Sequence, residues 1–349
     1  MALQASGPIS FSQISNEFGS PSGKNLGAYR ISQTVGDLTR PLDDGIPTSG
    51  TIQFSNFYSK RLNVVVYCSG NRITARSRYN DNNNVTVIGG YKTRPESSSG
   101  TKVWIYTNET IGSNIPASSA PNREYCSLIT GGWEGGTDLR LDIGTSGVVS
   151  GAGGNGGSGA PATGVNGNNG LLGTSAIGVN YQPITITNRG RIQGGIGGGG
   201  GGGGANSFIR RRNSGGSSRA FASGGGGGGG QGFPGGSAGS AGNCNAGDGN
   251  WRLQSLSCST SGASGDINAN GSGGSGGTTV SFGGCVATGG NGGSAGNSGG
   301  NGSGNQYGGG GGAAGASGHG IIITNDGTGV TISNNGSITP QIVYNTGIS

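Results

Sequence analysis

The apolar positions of this chain follow three rhythms, one after another. Near the start, Gly7-Pro8-Ile9-Ser10-Phe11-Ser12-Gln13-Ile14 and Gly50-Thr51-Ile52-Gln53-Phe54-Ser55-Asn56-Phe57 share the pattern G-x-I-x-F-S-x-φ, where φ is apolar. Each predicts a short helix with a Ser or Thr cap, the first ending at Gly19. Pieces this short are not stable alone. They must pair as a small cap on the next domain or dock on another protein. Ile9, Phe11, Ile14, Ile52, Phe54 and Phe57 are the candidates for docking to the rest of an assembly.

From residue 61 to residue 148 the rhythm becomes that of strands. Leu62–Tyr67, Val85–Ile88, Lys102–Tyr106, Tyr125–Ile129 and Leu139–Ile143 are short runs rich in β-branched and aromatic residues, separated by turn-rich segments such as Asn80–Asn84. Several such strands in so short a stretch predict a small β-sandwich.

Past Val148 the apolar pattern thins and glycine sets the period. Of 86 glycines, 18 lie in residues 1–148 and 68 in residues 149–349, which puts a boundary near Val148–Ser150. Glycine recurs at every third position (Gly290, Gly293, Gly296, Gly299, Gly302) and also forms unbroken runs at 197–204, 224–230 and 308–312. A period of three matches the polyproline II helix. Collagen shares that period but needs abundant proline in an unbroken Gly-X-Y tract, and the whole chain has 11 prolines. The remaining solution is a bundle of polyglycine II helices. Such a helix makes no internal hydrogen bonds, so each N–H and C=O must find a lateral partner, and glycine lets the backbones come close enough.

A second repeat frames this segment. Thr185-Ile186-Thr187-Asn188-Arg189-Gly190-Arg191-Ile192 aligns with Thr331-Ile332-Ser333-Asn334-Asn335-Gly336-Ser337-Ile338, and Ile323-Thr324-Asn325-Asp326-Gly327 is a partial third copy. It reads as strand, N-x-G turn, strand. The expected fold is therefore mainly β and irregular: a helical unit (1–60), a β-sandwich-like domain (61–148) and a glycine-rich recognition domain (149–349).

Composition narrows the chemistry. Charged residues are 10% of the chain and hydrophobic ones 30%, too few for an ordinary core throughout. No apolar run is long enough to predict a membrane span, and the opening Met1-Ala2-Leu3-Gln4 does not read as a secretory signal. The single histidine, His319, stands between two glycines and predicts a structural role. Acidic residues are scattered. Glu134, Asp138 and Asp142 form the nearest cluster that could serve a glycosidase, and they are weighed against a non-enzymatic reading, which is preferred. The glycine runs lack the Gly-Lys-Ser/Thr ending of a phosphate loop. Arg210-Arg211-Arg212 is too narrow a basic patch for nucleic acid. Cys68, Cys126, Cys244, Cys258 and Cys285 contain no CxxC pair, so no metal site is expected. They read as free, partly buried thiols, with a Cys244–Cys258 disulfide as the alternative. No cofactor is implied.

Islands rich in aromatics and arginine interrupt the glycine, and such residues dominate binding hot spots. Phe208, Arg210, Arg211, Arg212, Arg219, Phe221, Trp251, Arg252, Phe282 and Tyr307 are the candidates for receptor contact; the alternative is that the aromatics cover the ends of the bundle.

The stretch Val148–Pro161 resembles the glycine-rich motifs of distal tail-fibre adhesins of T-even-type phages. Residues 192–204, after an ITN-x-G strand, resemble glycine-rich tail proteins of many phages. The opening GPISFSQI, LGAYRI and IPTSGTIQFSNFY is similar to a recurrent start of phage structural proteins, especially those of cyanobacterial phages. The resemblance implies a virion tail protein exposed to the medium. It also implies polyglycine II helices whose connecting loops bind a host outer-membrane protein or lipopolysaccharide, with other virion tail proteins as partners. A non-adhesive baseplate, collar or fibre-connector role is the alternative. A homotrimer and a monomer are both allowed, and neither nucleic acid nor membrane insertion is expected.

Overall fold

A computed structural model gives the structure of the protein. It describes residues 2–21, 25–113, 125–161, 165–210, 217–242, 253–281, 285–295, 297, 299–301, 303–304, 307–324, 327–339 and 342–345.

Both copies of the N-terminal pattern start a helical turn at the same place. Ser10 caps α1 (Phe11–Phe18): its hydroxyl accepts from the Gln13 N–H at 3.2 Å while Gln13 Oε1 accepts the Ser10 N–H at 2.7 Å, the reciprocal pair of a capping box. In the second copy, Asn56 Oδ1 accepts the Gln53 N–H at 2.7 Å ahead of the 3-10 turn Phe54–Phe57. The aligned residues Ile14 and Phe57 are both fully buried, in one cluster with Phe18 and Tyr29. A second 3-10 turn (Leu26–Tyr29) and the hairpin of β1 (Ser32–Val35) and β2 (Leu38–Pro41) complete the unit.

The chain then winds as a three-sided coil, laying one strand on each of three sheets per rung. β3 (Asn63–Tyr67), β4 (Gly70–Asn71) and β5 (Ile73–Thr74) form the first rung. A short helix, α2 (Ala75–Asn80), and β6 (Val85–Val87), antiparallel to β3, follow it. The second rung is β7 (Lys102–Thr107), β8 (Thr110–Gly112) and β9 (Leu128–Ile129); the third is β10 (Asp138–Ile143), β11 (Val148–Ser150) and β12 (Ile177–Val179). β13 (Ile184–Asn188) and β14 (Arg191–Gln193) begin the fourth. The chain then leaves the coil through β15 (Ala205–Arg210), β16 (Ser217–Ala222), β17 (Leu253–Ser257), β18 (Thr278–Ser281), β19 (Cys285–Thr288), β20 (Ser303–Gly304) and β21 (Tyr307–Gly308). It returns as β22 (Ile321–Thr324) to close the fourth rung. The fifth is β23 (Val330–Asn334), β24 (Ser337–Thr339) and β25 (Ile342–Asn345).

Apart from β6, all neighbours in these three sheets are parallel and in register. Inward residues therefore stack rung on rung: Val64, Val103, Leu139, Ile184, Val330 on the first sheet; Ile111, Val149, Ile192, Ile338 on the second; Ile73, Leu128, Ile177, Ile321, Ile342 on the third. These ladders are the core. The hairpin of β1 and β2 covers the outer face of the first sheet through Leu38, packed with Val65, Trp104 and Tyr106. Lys102 is buried in an ion pair with Asp43, and Arg40 bonds Asp142 at 3.0 Å, so the N-terminal unit is tied to the coil by charge as well.

This corrects two expectations. The β-sandwich expected of residues 61–148 does not form: its strands run parallel, and β10 takes a partner, β13, from beyond residue 148. β3 and β7 are buried almost end to end, which suits parallel strands covered on both faces rather than half-exposed sandwich strands. The N-x-G turn is likewise a corner between two sheets, not a hairpin. Asn188 fixes it, its Oδ1 accepting the Gly190 N–H at 3.2 Å and its Nδ2 donating to Asn334 Oδ1 of the next rung at 2.8 Å. The two full copies of the repeat are adjacent rungs, with Thr185 against Thr331 and Ile192 against Ile338. The partial copy is not a third: Ile323 lies on a different sheet, and Asn325 and Asp326 lie outside the described residues.

The glycine tracts enter at one corner, between the second and third sheets, in rungs three and four. Tract 195–204 touches six others through its backbone. Its N–H groups donate in rotation to Thr174, Leu171, Asn168 and Val165, to Gln231, Gly228 and Gly225, and to Asn297 and Gly300. Its carbonyls accept from Gly154, Gly157 and Ala160, from Gly290 and Gly293, and from Gly309, Gly312, Gly315 and Gly318. Every third group meets the same neighbour. A Cβ at Gly198 would collide with the Asn155 carbonyl and one at Gly201 with the Ser158 carbonyl, both main chain. In the outer tracts, side chains replace missing neighbours: Asn166, Asn169 and Asn155 accept the N–H groups of Gly310, Ala313 and Ser237 at 2.6, 2.8 and 2.9 Å.

Candidate receptor-binding tip

At the side away from the coil the tracts end together. Hydrogen bonds from Gly204 to Val165, Gly224 to Ala160, Gly242 to Gly224, Gly277 to Ser223, Gly289 to Gly277 and Gly309 to Gly204 join their ends into one layer. Two small antiparallel sheets stand on that layer, one of β16, β15 and β21, the other of β17, β18, β19 and β20. They pack on each other through Ala205, Ala220, Ala222 and Ala287. With little apolar mass there, polar ties matter: Ser223 and Ser259 share a hydrogen bond at 2.8 Å, and Ser259 also donates to the Gly242 carbonyl at 3.1 Å.

Phe208, Arg210, Arg219, Phe221 and Tyr307 all belong to the first of these sheets, with Phe208 the register partner of Arg219. Phe221 is half-buried. Arg211, Arg212, Trp251, Arg252 and Phe282 lie outside the described residues. Cys258, next after β17, is disulfide-bonded, against the expectation of free thiols throughout. A covalent tie suits a small sheet with almost no core of its own. Cys68 and Cys126 are buried thiols, and Cys244 lies outside the described residues.

The other singled-out residues sit elsewhere. Ile14 and Phe57 are buried in the coil's core, Ile9, Phe11 and Ile52 are partly buried against it, and Phe54 is 41% exposed. His319 is at the foot of a tract, where burial lowers its pKa; its N–H donates to Ser175 Oγ at 3.0 Å. Each carboxylate of the sequence cluster has its own arginine. Asp142 pairs with Arg40 and Arg189 at 3.0 and 2.9 Å, and Asp138 with Arg140 at 3.3 Å. Burial pushes the Glu134 carboxyl up, but hydrogen bonds from Ser98 and the charge of Arg76 outweigh it and hold its pKa low. Among the described residues no cluster of histidine, cysteine or carboxylates could hold a metal, and no helix is long and apolar enough to cross a membrane. Sequence reasoning missed the coil itself, whose signal was the spacing of single inward aliphatics on strands of two or three residues.

The described chain is thus a parallel coil, a hydrogen-bonded glycine stem and two small antiparallel sheets at the stem's far end. A family model for the phage tail fibre adhesin Gp38 matches residues 72–343, and the chain belongs to that family. The match runs from β5, the last strand of the first rung, into β25 of the fifth, and takes in the whole glycine segment between. No curated protein and no solved structure matches the chain. Family membership supports a tail-fibre adhesin role and a place in the virion tail.

Proposed function

We propose that this chain sits on a tail fibre and binds a host outer-surface receptor, an outer-membrane protein or lipopolysaccharide, through loops held by packed polyglycine II helices. The observation that carries the reading is the single layer of tract ends, from which the strands bearing the aromatic and arginine islands all emerge. Backbone bonds that recur with every third residue fit a helix of three residues per turn and support the likeness to T-even-type adhesins. Loops on a rigid frame are where recognition concentrates. Arginine there suits acidic lipopolysaccharide or an acidic receptor loop.

Attachment to other tail proteins is assigned to the N-terminal unit, which carries the exposed Phe54, and to the coil, where β23, β24 and β25 leave one edge strand on each sheet. Because each rung closes within one chain, a monomer per fibre is favoured over a homotrimer. Exchanging residues 207–221 and 243–259 with those of a related phage is expected to move adsorption to the donor's host. Unchanged adsorption after both exchanges would instead support a purely structural connector.

A further inference from the structure

A second recognition surface lies on the coil, away from the tip. At the corner where the third sheet passes back to the first, rungs three to five leave a cleft of about 550 Å³, within the range of small-ligand sites. The residues that give it chemistry are Arg61, Asp138, Tyr181, Pro183, Thr185 and Thr331. Thr185 and Thr331 are register partners on β13 and β23, so their hydroxyls stand side by side at the roughly 4.8 Å spacing of neighbouring strands.

The walls are held in place. Tyr181 donates its hydroxyl to the Glu134 and Thr137 carbonyls at 3.1 and 3.2 Å, which pins the ring. Arg61 Nη1 donates to the Gly136 carbonyl at 3.1 Å, leaving its other donors to face a ligand. Asp138 takes two bonds from Arg140 at 3.3 Å, and a carboxylate can accept more.

We propose that this cleft binds a neutral saccharide. Adjacent sugar hydroxyls need donors and acceptors side by side, and a guanidinium, a carboxylate and two hydroxyls supply both. The Tyr181 ring and Pro183 offer apolar surface to the C–H face of a pyranose. Asp138 disfavours phosphate and other anions. The cleft is separate from the tip, because the glycine tracts leave from a different corner of the coil. Weak sugar binding here would hold the fibre near the cell envelope while the tip samples receptors, a role beyond the tip reading and independent of its success.

The test is to screen the full-length protein on an array of bacterial oligosaccharides and titrate the strongest binder by calorimetry. Replacing both threonines (Thr185→Val with Thr331→Val) is expected to weaken binding about tenfold, the effect of losing two hydrogen bonds. Thr185→Ser, which keeps the hydroxyl, is expected to retain it. Exchanging the tip segments 207–221 and 243–259 with those of a related phage should leave sugar binding unchanged, whether or not adsorption moves to the donor's host. An array with no bound glycan, binding indifferent to the valines in a protein that melts normally, or binding lost with the tip segments would each overturn the proposal.

Discussion

Gly198 lies in the middle of the central tract, and changing it to alanine tests what holds the stem together. The added methyl would meet the Asn155 carbonyl and the Gly156 nitrogen, backbone atoms that cannot rotate away. The two tracts must therefore separate. Gly198 donates to Leu171 and accepts from Gly315, both at 2.8 Å, and those bonds stretch with the displacement. Overpacking costs about 1–3 kcal/mol, and weakening two buried backbone bonds adds on the order of 1 kcal/mol each. The alanine regains about 0.4–1 kcal/mol by restricting the unfolded chain. The net loss is then about 2–4 kcal/mol, and at ~2–4 °C per kcal/mol the stem should melt roughly 5–15 °C lower. Gly132→Ala is the control. Nothing lies within 4 Å of a Cβ there and its φ is not in the left-handed region, so the same chemical change should be neutral or slightly stabilising. Differential scanning calorimetry of both variants decides. Equal melting of Gly198→Ala and Gly132→Ala would refute close backbone packing as the source of stem stability.

The remaining expectations concern the coil. Lys102→Met removes the cation from Asp43, whose side chain is 2% exposed; an uncompensated buried charge should cost about 3 kcal/mol, read as a lower urea midpoint by tryptophan fluorescence. Burial pushes the Cys68 thiol up to about 12, so at pH 8 it stays protonated, and neither it nor the buried Cys126 should react with a thiol reagent until the protein is unfolded. Prompt modification of native protein would contradict the placement of Cys68 in the core.

Some of this architecture could be read directly from the residues. The pairing of Thr185–Ile192 with Thr331–Ile338 was visible as a repeat because both copies meet the same corner geometry, set by Asn188 and Asn334. The two capped turns at Phe11 and Phe54 were visible for a similar reason, since local hydrogen bonding dictates them. Earlier rungs were hidden. Lys102 pairs with Asp138, and Leu139 with Ile184, but Ile184 pairs with Val330, so no constant period survives the insertions. Strands such as Gly70–Asn71 and Ile73–Thr74 are too short to carry a pattern of their own. In the stem, the threefold glycine spacing follows from the bonding rotation. The Asn and Ser residues between glycines close the outer backbone groups. At the tip, composition marked the islands but said nothing of the two sheets that carry them, because those strands owe their pairing to where the tracts end.

Amide hydrogen exchange of residues 195–204 and 224–230 in the intact protein tests the bonding of the stem most directly. If main-chain bonds between tracts make the stem a rigid mount for the loops, these glycines should exchange as slowly as β7 and β10 of the coil. Exchange at the rate of an unstructured glycine peptide would contradict it.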